Sequence, residues 1–114
     1  MRTEKKAHIF SNELTSEQRA KLKGRAHHLK PIVQIGGQGF SEAVIQEVIS
    51  ALTKHELIKI KLPGNSDADS KQQEQQELND KLPTHSHIVG RIGRTIILYL
   101  EKEPKEAKII LKNL

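Results

Sequence analysis

Hydrophobic positions recur along this chain in two rhythms, one helical and one alternating. Leu22, Ala26 and Leu29 are three or four residues apart, the interval that returns a side chain to one face of a helix. Ahead of them, Thr15-Ser16-Glu17-Gln18 fits a capping box, with Thr15 as N-cap and Gln18 reaching back to its amide. The pattern predicts a helix from there to about His28 with a narrow apolar stripe. At roughly 100° per residue, Arg19, Lys23 and His27 flank the stripe on one side, and Lys21, Arg25 and His28 on the other. A second helix is predicted from 42 to about 54, capped by Ser41. Its Ala43, Val44, Ile45, Val48, Ile49 and Leu52 make a wide apolar face suited to a central position.

Alternation marks the strands. From Leu57 to Leu62, Ile58, Ile60 and Leu62 share one face, while Lys59 and Lys61 point to the other. Pro31 to Ile35 reads as a short strand, its proline at the start where a missing N–H is tolerated. His85 to Val89 and Thr95 to Leu100 read as two more, joined through 90–94 as a hairpin connection. Pro63-Gly64-Asn65 turns the chain. Residues 66–82 are polar, with only Ala68, Leu78 and Leu82 as apolar anchors. They permit a third helix that few contacts would hold, and their glutamine content equally suits partial disorder. Residues 1–13 read as a flexible N-terminal arm, 14–100 as the domain, and 101–114 as an extension in which Lys108 to Leu111 is a further short strand or docks on the body. The order α-β-α-β-α-β-β predicts an α/β fold: a single-domain two-layer sandwich with a mixed four-stranded sheet and a cationic exposed face.

Composition narrows the function. A chain of 114 residues suits one domain. With no cysteine, disulfides and thiolate-bound zinc are excluded, and a reducing compartment is permitted. No run approaches the roughly 20 apolar residues of a membrane span, and the opening MRTEKKAHIFSNEL lacks the apolar stretch of a signal peptide. The expectation is a soluble, cytoplasmic monomer without a membrane partner. Lys and Arg number 19 against 14 Asp and Glu. The excess is uneven: residues 15–61 hold eight cations and four acids, whereas 65–82 hold five acids and two lysines. A basic body with one acidic segment suggests a side that faces a polyanion.

Gly36-Gly37-Gln38-Gly39 is the sharpest local feature, lying between a predicted strand and a capped helix. Glycines allow positive φ and let another backbone approach closely. The helix start that follows presents unpaired N–H groups and a positive dipole end, both suited to phosphate. A tight turn without a ligand is the alternative. No Lys-Ser or Lys-Thr follows the loop, so it is not a Walker motif, and no third glycine completes a dinucleotide fingerprint. Adjacent His27 and His28 diverge on a helix, and His85 with His87 do not close a metal site, so both pairs are read as surface groups and no metal is expected. No catalytic set of side chains stands out, so neither an enzyme, a cofactor nor a small-molecule substrate is expected. Aromatics are few: Phe10, Phe40 and Tyr99. Recognition by base stacking is therefore disfavoured against phosphates and the shape of folded RNA, and Phe40 is expected to plug the core.

Several runs together are more specific than any one. Leu14-Thr15, Ala26-His27-His28-Leu29-Lys30-Pro31, Val33-Gln34-Ile35-Gly36-Gly37-Gln38-Gly39, His55-Glu56-Leu57-Ile58-Lys59-Ile60-Lys61 and Gly93-Arg94-Thr95-Ile96-Ile97-Leu98-Tyr99 resemble the CRM domain (chloroplast RNA splicing and ribosome maturation) in its stand-alone bacterial YhbY form. The resemblance implies a fold similar to the C-terminal domain of translation initiation factor three, RNA binding, and association with rRNA in precursors of the large ribosomal subunit as an assembly factor. The family's GxxG loop maps onto Gly36, Gly37, Gln38 and Gly39. Its basic surface maps onto Arg19, Lys21, Lys23, Arg25, His28 and Lys30 of the first helix and its exit, and onto Lys59 and Lys61 of the strand. A protein-interaction module acting through the acidic segment is the second reading.

Overall fold

The computed structural model describes residues 9–64 and 68–114. The elements follow the expected order: α1 (Ser16–Ala26), β1 (Val33–Gln34), α2 (Glu42–His55), β2 (Leu57–Lys61), α3 (Ala68–Lys81), β3 (Ser86–Ile92) and β4 (Thr95–Leu100), then a 3-10 turn at Leu111–Asn113. The strands form one mixed sheet ordered β1-β2-β4-β3. β1 is parallel to β2, to which it is joined through α2, and the other pairs are antiparallel. The capping box forms as read: Gln18 N donates to Thr15 Oγ1 and Thr15 N to Gln18 Oε1, each at 3.0 Å.

Strand alternation decides the layers. Ile58, Ile60, Ile96 and Leu98 lie on one face and pack with Ile45, Val48 and Leu52 of α2 and Leu78 of α3; Phe40 is buried in the same core. Leu57, Ile97 and Tyr99 lie on the other face and pack with Leu22 and Ala26 of α1. Helices therefore cover both faces, and the sheet is the middle of three layers rather than one of the two expected. The lysines of β2 pointed to an open face. That face is closed over most of its length because Val89, Ile97 and Tyr99, from strands distant in the chain, supply apolar partners there. A seam as narrow as Leu22 and Ala26 suffices once it rests on such a surface. Leu29 is 39% exposed, because α1 ends at Ala26 and a turn over His27 and His28 carries the chain away from the helix.

Where sequence pattern was weakest, ion pairs hold the fold. α3 forms despite its polarity: Leu78 is fully buried, and the Glu74 carboxylate meets Arg91 Nη2 and Arg94 Nη2 at 3.1 Å each. The hairpin is tighter than expected. β3 runs on through Ile92, and only Gly93-Arg94 connects it to β4, with Gly93 at φ 59° as a two-residue turn demands.

The extension is part of the body. Glu56, fully buried, caps α2 at φ 68°. Its carboxylate accepts from Lys108 N at 2.9 Å and Ile109 N at 3.0 Å, with Lys102 Nζ at 3.7 Å. Tyr99 Oη donates to Ile109 O at 3.3 Å, and burial pushes its hydroxyl far above the usual tyrosine range. Of the expected arm, residues 1–8 lie outside the described residues, as do 65–67 of the polar segment. From Phe10 the chain is anchored: its ring stacks on His85 at 3.7 Å, and Ser11 N donates to Glu101 Oε1 at 3.0 Å.

His87 is buried rather than on the surface, with Nε2 3.7 Å from Glu101. Burial lowers its pKa below the ordinary 6.5, outweighing the opposing pull of Glu101. The folded ring stays neutral where the unfolded chain already takes a proton, so stability falls as the pH drops below 6.5. His87→Phe, which keeps the packing on Tyr99, should flatten the decline of thermal midpoint between about pH 7.5 and about pH 5.5. An unchanged slope would assign the acid sensitivity to other groups.

Candidate nucleic-acid interface

The GGQG segment leaves the sheet at the C-terminal end of β1. Ile35 N donates to Lys61 O at 2.8 Å, so the loop starts beside the last residue of β2. Gly39 N then closes a turn onto Gly36 O at 3.0 Å, with Gly37 and Gln38 at its tip. Gly39 has φ 75°, a conformation that favours glycine. Gly36 and Gly37 do not occupy the left-handed region, and a Cβ on either would meet nothing within 4 Å. Beyond the turn, Ser41 Oγ accepts from Val44 N at 3.3 Å and opens α2, while the ammonium of Lys81 holds Phe40 O at 3.2 Å.

On the face that carries α1, the register aligns side chains in rows across the strands. Gly90, Ile97 and Lys59 form one row; Ile92, Thr95, Lys61 and Gln34 form the next, toward the loop. α1 crosses above the first. The Lys23 stem packs over Gly90, and Lys59 Nζ donates to Leu29 O, 3.0 Å away, in the segment that follows α1. The second row is not covered: Gln34 and Lys61 are exposed, and Ile92 is 65% exposed.

The model of the CRS1/YhbY (CRM) domain matches residues 14–99, from the residue before the capping box to the penultimate residue of β4. The chain belongs to this family. An RNA-binding protein of Haemophilus influenzae is 42% identical over 98 residues, 86% of this chain and 94% of its own length. The probable RNA-binding protein YqeI of Bacillus subtilis is 37% identical over 97 residues, 85% of this chain and 96% of its own. The solution structure of a hypothetical protein from Staphylococcus aureus is similar with a TM-score of 0.68 at 36% identity, covering 85% of this chain and 99% of that one.

In this CRM domain the cations singled out in the sequence do not form one cluster. Lys61 lies in the open row beside the loop, Lys23 borders it, and Lys59 stands one row back with its ammonium held at Leu29 O. Lys21 and Arg25 lie on the other shoulder of α1 against the C-terminal residues, where Lys21 Nζ donates to Leu114 O at 2.7 Å and pairs with Glu17 at 3.1 Å. His28 and Lys30 are exposed where the chain leaves α1, and Lys30 lies at the opposite end of β1 from the loop. Arg19 has a structural partner. A bulge at Val89 shifts the β3–β4 register, and Arg19 Nη1 donates to Ile88 O and Val89 O at 2.8 Å each. Gln34 adjoins the loop in the chain itself, whereas Thr95 and Lys81 come near it only through strand register and the path of α3, and Ile92 ends the same row on the far edge of the sheet. Among the described residues, no group of three His, Cys, Asp or Glu could hold a metal ion, and no helix is long and apolar enough to cross a membrane.

Proposed function

We propose that this chain is a monomeric RNA-binding protein that seats the sugar-phosphate backbone against the GGQG turn, and that it assists assembly of the large ribosomal subunit by binding rRNA in its precursors. One observation carries the reading. Gly36 and Gly37 are exposed, and the fold requires a glycine at neither position by backbone conformation or by packing. A bend whose first two positions lack side chains, where the fold itself does not need glycine, fits a backbone arriving from outside. The start of α2 adds a positive dipole end beside it. Lys23 and Lys61 supply charge along the adjoining sheet, with Lys59 behind them. Arg25, His28 and Lys30 extend the basic surface around the end of α1, so a long RNA could touch both shoulders. Arg19 and Lys21 contribute to the same field while holding protein carbonyls. The names of the relatives in Haemophilus influenzae and Bacillus subtilis agree with an RNA ligand. Positioning RNA in a precursor needs no bond-making chemistry, and such particles place the protein in the cytoplasm.

The test is affinity for a large-subunit rRNA fragment across a salt series. Each neutralised phosphate should contribute roughly −0.7 to −0.9 to the slope of log K against log salt. Three or more contacts would give a slope near −2 or steeper, as expected. A flat response would remove the backbone-binding mechanism. Crosslinking in cells should recover large-subunit precursor rRNA above all other RNA, and its absence would remove the assembly role.

A further inference from the structure

We infer that the open row Ile92, Thr95, Lys61 and Gln34 receives the bases of an unpaired stretch of the same RNA strand whose backbone lies against the GGQG turn; this rests on the RNA reading above. A single exposed isoleucine on a protein surface is ordinary. What distinguishes Ile92 is its row. Strand register puts it level with the hydroxyl of Thr95, the ammonium of Lys61 and the amide of Gln34, all on one face of the sheet. Four strands about 4.8 Å apart make the row roughly 14 Å long, enough for a few nucleotides laid across the strands. Gln34 is two residues before Gly36, so a strand seated on the turn passes directly onto the row.

The chemistry of the row favours bases over a duplex. A base has an apolar face for the Ile92 methyls and hydrogen-bonding edges for the Gln34 amide, which both donates and accepts. Lys61 sits between them for the connecting phosphate. An A-form duplex keeps its base faces stacked inside and offers phosphates and 2′-hydroxyls instead. Those groups have no use for an isoleucine that is 65% exposed. Aliphatic packing also accommodates every base, so the row should bind single strands with little sequence preference.

The full chain is titrated with a short labelled oligoribonucleotide, alone and annealed to its complement, by fluorescence anisotropy. The single strand should bind about tenfold more tightly than the duplex, and Ile92→Ser should weaken only the single strand, by roughly five- to tenfold. Because Ile92 is largely exposed, the variant should keep the wild-type thermal midpoint. Equal affinity for both forms, or an Ile92→Ser effect that is absent or the same on both, would overturn the row as a base seat while leaving RNA binding intact. Failure of the wild-type chain to bind either form would instead overturn the RNA reading beneath it.

Discussion

Gly37→Val is expected to reduce RNA affinity at least tenfold, about 1.4 kcal/mol, while the folded chain keeps its stability. Nothing lies within 4 Å of a Cβ placed there, and the residue is not in the left-handed region. The folded state therefore gains no clash, and the unfolded state loses some freedom, which offsets any small turn penalty. Binding should suffer because isopropyl methyls at the tip of the turn hold off the incoming backbone. Gly36→Val should behave alike. Gly39→Val provides the contrast: at φ 75° a side chain costs roughly 1–2 kcal/mol in the fold itself. Anisotropy titration beside thermal unfolding separates the two effects. A folded Gly37→Val chain with wild-type affinity would remove the turn from the interface.

The second large effect is on stability. Glu56→Ala should cost about 3 kcal/mol. The buried carboxylate receives the amides of Lys108 and Ile109, and bonds to a charged acceptor contribute about 1.5–3 kcal/mol each. Against that stands the desolvation of the carboxylate, which its removal relieves. The positive φ of Glu56 remains as strain for alanine. The loss should lower the thermal midpoint by roughly 10 °C in a domain of this size, and should expose Tyr99, which the 109 region covers. Glu56→Gln keeps the shape and one carbonyl acceptor but loses the charge, so it should fall between the two. Thermal unfolding followed by tyrosine fluorescence reads both. A midpoint within a degree or two of wild type for Glu56→Ala would mean that the extension is held without this clamp.

Much of the domain is legible in residue order alone. The Thr15 and Gln18 capping box, the broad face of α2, the alternation of β2 and the glycine run before Ser41 are signals in which the interacting groups lie within a few residues of one another. The family resemblance rests on the same short phrases. The misreadings share the opposite property. Leu29 kept helical spacing after the helix had ended. His87 looked like a surface group until Glu101 and Tyr99 were folded around it. The polarity of α3 concealed an acid that meets two arginines of the β3–β4 hairpin. Glu56 was read only as part of a family phrase, yet it holds a segment some fifty residues later in the chain.

The amino-acid order settled the succession of helices and strands, the sheet-facing sides of α2 and β2, and the place of the exposed glycine turn, because capping, periodicity and φ preference act between near neighbours. Folding alone decided that the sheet is covered on both faces, that α1 separates Lys23 from Lys21 and Arg25, and that one row of four side chains stays open beside the turn. Those outcomes depend on strand register and helix crossing. Both join residues far apart in the chain, and no local pattern encodes which of them will meet.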